Sequence, residues 1–254
     1  MKIGLVLSGG GIRGTAHIGA IKAMEELGIV PTYVSGTSAG AVVGALYANN
    51  TTLPEILDFF KTIPLFQGNK YALGKPGFID SEKFYEDFKK MLPEDDFKSM
   101  DKTLFIAATD ILNGTLKIFK EGHLIRPILA SASFPGVFTP TKVGRRLYVD
   151  GGILNNFPVE PLLPLCDKII GVYVNPLKSI GAKDLRHSYN VLERCYKIKM
   201  AADSIEKFKL CDLVISPDEL GRYGTFQKQG IDEIYDIGYQ SAKEQLLNSS
   251  FFHG

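Results

Sequence analysis

The sequence is short of most features that would announce a chemistry. Its 254 residues hold three cysteines, Cys166, Cys195 and Cys211. The number is odd and no two have CxxC spacing, so neither a disulfide framework nor a zinc site is indicated, and the setting reads as reducing. Charge of one sign is also lacking. With 29 Lys and Arg against 28 Asp and Glu, the formal charge is +1. No one-signed field is available to gather nucleic acid, so a substrate must be held by local features. Nowhere do about 18 apolar residues run together, as a membrane span requires. The N-terminus enters an apolar, strand-like run, KIGLVL, without the h-region and cleavage site of a secretory leader. The expected location is cytoplasmic, with peripheral contact at a membrane surface left open. Histidine is scarce too, limited to His17, His123, His187 and His253.

What is present suits an ordinary globular protein. Apolar residues make up 45% and charged residues 22%, and the length fits one large α/β domain. Lys2 to Leu7 reads as a strand buried on both faces. It runs into a glycine-rich loop, Ser8 to Gly14, and then a helix from Thr15 to Leu27 with Ile18, Ile21 and Met24 along one side. A second strand ends at Ser35, followed by GTSAG and a small, apolar helix from Ala39 to Asn49. Strand, loop, helix, strand, turn, helix points to a mainly parallel sheet with helices packed on it. Residues 51–100 differ in texture. Prolines separate two expected helices, near Glu55 to Thr62 and Ser81 to Met91, and the stretch reads as an insertion or lid within a single domain of residues 1–254. Its Phe59, Phe60, Leu65 and Phe66 suit either core packing or contact with lipid. The sheet resumes at Thr103 to Thr109, and Asn113-Gly114 predicts a hairpin into Thr115 to Phe119. Strands over Leu147 to Val149, Lys168 to Val174 and Asp212 to Ser216, with helices near Val191 to Phe208 and Ile231 to Leu246, complete the layers.

Three groups of residues carry potential chemistry. Gly36-Thr37-Ser38-Ala39-Gly40 fits G-x-S-x-G at a strand-to-helix junction. Glycines two before and two after the serine permit the cramped turn of a nucleophile elbow, and the helix N-terminus favours developing negative charge. Gly9-Gly10-Gly11-Ile12-Arg13-Gly14 follows the first strand, so backbone N–H groups can converge on an anion. An oxyanion hole needs such donors, and so does a phosphate cradle. Without GK[ST], and without a carboxylate ending a second strand some 20 residues on, the nucleotide reading is the weaker one. Arg13 suits either an anionic head group or bracing of the loop. A serine also needs a base. Asp150 ends an apolar strand before two glycines, and Asp110 ends another. His17 lies among apolar residues on the first helix. The spacing alone does not rank them.

Taken together, GGGIRG, GTSAG, the ASASFPGVFTP stretch from Ala130 to Pro140 and DGG at Asp150 resemble, in order, the patatin-like phospholipase family, over about Lys2 to Asn175. The resemblance implies a three-layer α/β/α sandwich with a mainly parallel sheet, and hydrolysis of lipid acyl esters by a Ser–Asp dyad without histidine. Carried over, Ser38 is the nucleophile and Asp150 the base. Gly9, Gly10 and Gly11 supply oxyanion donors with Arg13 beside them, Gly36 and Gly40 shape the elbow, and no metal or cofactor is required. The expected partner is a lipid or other acyl ester, not a nucleic acid. Two alternatives accompany this expectation: acyl transfer through the same acyl-enzyme, and a non-catalytic module that binds anionic lipid or phosphate.

Overall fold

The computed structural model describes residues 1–63, 70–227 and 229–249. Its centre is an eight-stranded sheet. Strand β1 (Ile3–Leu7) lies between β2 (Tyr33–Thr37) and β7 (Lys168–Val172), all parallel, and β8 (Leu213–Ile215) extends the sheet parallel to β7. Every residue of β1 is buried, because both of its faces are covered. Leu5 and Leu7 enter one core and Val6 the other, as the period of two along a strand requires.

The larger core holds helices α1 (Thr15–Glu26), α2 (Ala39–Ala48), α5 (Ile125–Ser131) and α7 (Ile231–Asn248). The smaller one, under Val6 and Phe105, is closed by edge-to-face stacking of Phe157, Tyr173 and Phe208, which come from less regular segments. Residues 51–100 contribute α3 (Leu53–Thr62) and α4 (Tyr85–Met91). Thr52 and Glu55 form a capping box on α3. Phe59 and Phe60 are buried, and Phe59 meets Phe88 of α4 at 5.1 Å between ring centres. Leu65 and Phe66 lie outside the described residues.

The strand that organises the site is β3 (Thr103–Asp110), which has three partners. One edge pairs antiparallel with β4 (Thr115–Phe119), the expected hairpin. The other pairs with β2 as far as Ala107, opposite Thr37, and then with antiparallel β6 (Arg146–Asp150), whose Asp150 lies opposite Ala108. Strands β2 and β6 therefore run toward each other along one edge of β3 and meet end to end. That register brings GTSAG and DGG together across more than a hundred residues of sequence. The short β5 (Thr141–Val143), paired to β6, and α5 were not anticipated. Helix α6 (Ser188–Ile205) covers the approach to the meeting point.

Candidate active site

At the end of β2 the chain reverses into α2 through Ser38, which has φ 53° and ψ −125°. A non-glycine residue at positive φ costs of order 1–3 kcal/mol and persists only where its surroundings fix it. The fixing groups are visible. The Ser38 N–H donates to Ser131 Oγ at 2.8 Å, and the Ser131 hydroxyl donates to Ala107 O at 2.7 Å. The Ser38 carbonyl accepts from the N–H groups of Ala41 and Val42 at 2.9 and 3.1 Å, which starts the helix. A Cβ at Gly36 would meet the Gly40 carbonyl, and one at Gly40 the carbonyls of Leu7 and Ser8. Both glycines of the pentapeptide are therefore required by close approach of backbone. With its main chain satisfied, Ser38 turns its side chain into a cavity.

Asp150 shares that cavity. It is 3% exposed, and its Oδ1 accepts from the Gly152 N–H at 2.7 Å. The backbone is pinned on both sides, with the N–H donating to Ser133 O at 3.0 Å and the carbonyl accepting from Thr109 Oγ1 at 3.0 Å. Burial pushes the carboxyl up from 3.8 to about 6, against hydrogen bonding from the Ser38 hydroxyl and the Gly152 N–H, which draw it down.

The rival bases are occupied elsewhere. His17 is fully buried with Nε2 2.8 Å from Ser8 O, and burial lowers it to about 4, so it is a neutral donor to a backbone carbonyl. Asp110 is held at about 2, first by Arg146 and then by Asn113 and the Leu112 N–H, and so organises the β3–β4 turn. Neither lines the cavity. His123 and His187 are exposed, and His253 lies outside the described residues.

The glycine loop differs from expectation at one position. The Gly9 N–H donates to Asn156 O at 3.2 Å and the Ile12 N–H to Thr225 O at 2.9 Å. Gly9 is therefore not a free donor. Gly10 and Gly11 have no acceptor for their N–H groups among the described residues, and Gly11, at φ 60°, sits where a Cβ would strike the Thr225 carbonyl. Arg13 is engaged within the protein. It is buried, donates to Asn175 Oδ1 at 2.6 Å and to Tyr223 O at 3.2 Å, and Asn175 in turn donates to Gly9 O. This is a brace on the loop. Burial lowers the guanidinium to about 10 while Glu193 opposes the shift, so it keeps its charge near neutral pH. Sequence reasoning missed Ser131, Asn156 and Asn175. Ser131 lies inside the quoted ASASFPG stretch, but nothing local there says that its hydroxyl reaches the elbow.

The cavity encloses about 1130 Å³ of empty space, part of it open to solvent. One arm is apolar, walled by Phe59, Phe60, Phe84, Phe88, Phe134 and Phe138. The other is polar, with Arg13, Asn156, Asn175, Glu193 and Lys197. Tyr196 of α6 meets Phe134 edge to face, 5.0 Å between ring centres, and burial, with a smaller contribution from the Asp150 charge, raises its hydroxyl. Among the described residues no His, Cys, Asp and Glu side chains cluster closely enough to hold a metal ion, and no helix is long and apolar enough to cross a membrane.

The chain is 28% identical to a lysophospholipase of Mycosarcoma maydis over 97% of its own length and 15% of the relative's. It is 32% identical to an uncharacterised NTE family protein of Mycobacterium bovis over 72% of this chain and 52% of that one. The chain thus spans only part of the curated relatives it matches. Among solved structures, VipD of Legionella pneumophila shares the fold, with a TM-score of 0.58 at 15% identity over 98% of this chain and 67% of that one. The family model described as patatin-like phospholipase matches residues 5–163, a span that holds the glycine loop, the elbow and Asp150. The chain belongs to the patatin-like phospholipase family.

Proposed function

We propose that this protein is a serine acyl hydrolase that cleaves carboxylic ester bonds of lipids, with Ser38 as nucleophile and Asp150 as its base. One observation carries the proposal. A serine held at positive φ lies beside a buried carboxyl raised to about 6, where an aromatic arm meets unpartnered backbone N–H groups. An ordinary aspartate is a weak base, and a rise toward the working pH makes it better matched to proton transfer. The lysophospholipase named among the relatives supports a lipid substrate, as does an apolar arm suited to an acyl chain.

In the first half-reaction the Ser38 oxygen bonds to the ester carbonyl carbon while its proton passes to Asp150. The oxyanion that forms is met by the N–H groups of Gly10 and Gly11, aided by the N-terminus of α2. The tetrahedral species collapses, the carbon–oxygen bond to the alcohol breaks, and the alcohol leaves with the proton from Asp150. Water then attacks the acyl-enzyme carbonyl and gives a proton to Asp150; the bond to the Ser38 oxygen breaks, that oxygen takes the proton back from Asp150, and the fatty acid leaves. Arg13 acts only by position, through Asn175, on the loop that supplies the donors.

The test is hydrolysis of a short-chain ester, a long-chain ester and a lysophospholipid by the wild type, Ser38→Ala and Asp150→Asn. The expected result is turnover by the wild type and background rates in both folded variants. Unchanged turnover in Asp150→Asn would overturn the dyad. Ester cleavage that yields acylated alcohol rather than free acid, when alcohol is added, would reassign the chain to acyl transfer.

A further inference from the structure

Helix α6 walls the cavity with Glu193, Tyr196, Lys197 and Met200. Its opposite side, at spacings of four and three residues, carries Val191, Cys195, Ile198, Ala202 and Ile205, and all five are exposed. A surface helix of a globular protein turns its apolar stripe inward and its polar face outward. Here the outward face is apolar and no described residue covers it. The feature extends beyond the helix. Of the twenty large apolar side chains that stand exposed among the described residues, eight fall between Leu177 and Leu210, and Leu192 is 69% exposed. That stretch is 34 residues in a chain of 254, so the apolar exposure is concentrated rather than scattered.

Positive charge is concentrated in the same stretch. Between Leu177 and Leu210 there are eight Lys and Arg and four Asp and Glu, a net +4 in a chain whose whole formal charge is +1. Lys197, Lys199 and Lys207 pair with Glu193, Asp203 and Glu160. Lys178, Lys183, Arg186, Arg194 and Lys209 form no ion pair among the described residues.

An apolar stripe at four-three spacing also suits a helix–helix seam, which makes a second copy of this chain the rival occupant. Charge decides between them. A two-fold dimer through this face presents the same patch twice and sets +4 against +4, whereas an anionic lipid surface is complementary to it. We infer that residues 177–210, centred on the outer face of α6, form the surface by which this protein seats on an anionic bilayer. The apolar side chains enter the interface and the unpaired cations meet the head groups. The inner face of the same helix then stands over the cavity, so docking and substrate entry share one element. The proposal rests on the lipid-ester reading for its purpose alone; seating itself requires no turnover.

Flotation with vesicles of non-hydrolysable diether phosphatidylcholine, with and without diether phosphatidylglycerol, tests it on Ser38→Ala protein. Binding is expected with the anionic vesicles, weakened by salt. Ile198→Asp or Ile205→Asp, added to that background, should reduce partition roughly tenfold or more, whereas Ile198→Leu keeps it. In the otherwise wild-type enzyme, Ile198→Asp leaves turnover of a soluble short-chain ester unchanged. A measurement without any substitution guards against misfolding: alkylation of the exposed Cys195 should slow with anionic vesicles and not with neutral ones. Flotation unaffected by both aspartate variants, absence of binding by the parent, or Cys195 alkylated equally fast throughout would overturn the proposal. So would a solution dimer that Ile198→Asp converts to monomer, which assigns the stripe to a second copy. Loss of the hydrolase reading would appear separately, as absence of soluble-ester turnover in the wild type, and would leave the flotation result intact.

Discussion

Replacing Asp150 with asparagine should destroy activity and strengthen the fold, and the two effects have one cause. In the folded protein the carboxyl sits at about 6, against 3.8 for an ordinary aspartate. A raised acid binds its proton more tightly when folded. At pH well below 3.8 both states are protonated and the shift has no effect on stability. As pH rises from 3.8 toward 6 the unfolded chain ionises first, and stability falls. Above about 6 the full cost is present, ~1.36 kcal/mol for each unit of pKa difference and hence ~3 kcal/mol. Asparagine has nearly the same size, keeps an oxygen for the Gly152 N–H and cannot ionise. Asp150→Asn is therefore expected to be more stable than the wild type by ~3 kcal/mol at pH 8, or roughly 6–12 °C in Tm for a chain of this length. At pH 4 the advantage should shrink to ~0.5 kcal/mol. Urea denaturation of both proteins at the two pH values, followed by one spectroscopic probe, measures the difference directly. Ser38→Ala serves as the inactive control that retains the charge and gains no such advantage. An equal difference at both pH values, or a less stable variant at pH 8, would show that burial of the charge is not what raises the carboxyl.

The same shift predicts that kcat/KM on a soluble ester rises with pH through an apparent pKa near 6, and that Asp110→Asn, which alters the β3–β4 turn and the ion pair with Arg146, leaves that value in place. Ser131→Ala strips the Ser38 N–H of its acceptor; an unsatisfied buried donor costs ~1–3 kcal/mol, so the rate should fall roughly tenfold or more in steady-state assays while binding of a product fatty acid changes little. Because glycine tolerates positive φ, Ser38→Gly should be more stable than Ser38→Ala by ~1 kcal/mol, as chemical denaturation can show. Along a series of esters, each further methylene buried in the aromatic arm is worth ~0.8 kcal/mol, about fourfold in kcat/KM, until the arm is filled; Phe84→Ala should move that limit to longer chains.

Much of this site was legible because its residues are punctuation as well as chemistry. A glycine loop after an apolar strand, a glycine-flanked serine before a small apolar helix and an aspartate before two glycines each mark a strand end, and strand ends are where sites on parallel sheets form. The partnership of Ser38 with Asp150 was legible only through family resemblance. Its physical basis is the change of partner along β3 between Ala107 and Ala108, a register property that leaves no local mark in the sequence. Gly9 illustrates the opposite limit: all three loop glycines look alike as donors, and only the distant Asn156 carbonyl removes one. Helix α6 was expected as a helix, yet its apolar residues lie on both sides, so periodicity alone does not reveal which side faces the cavity.

The proposed dyad sets two unfavourable features side by side, a serine at positive φ and a carboxylate out of water. Both are held by the same strand. Ala107 fixes the elbow through Ser131, and Ala108 lies opposite Asp150. Both alanines are fully buried, and a Cβ at Gly151 would strike the Ala107 carbonyl, so there is no room at these positions for a larger side chain. In the proposed reaction the task of an imidazole, a base poised near neutral pH, falls to a carboxyl whose environment supplies the poise. Solvent entering the cavity would return Asp150 toward 3.8 and weaken it as a base. Under the proposed mechanism the aromatic arm and the inner face of α6 thus have a second task besides holding substrate: by keeping water from Asp150 they maintain the basicity that the reaction requires.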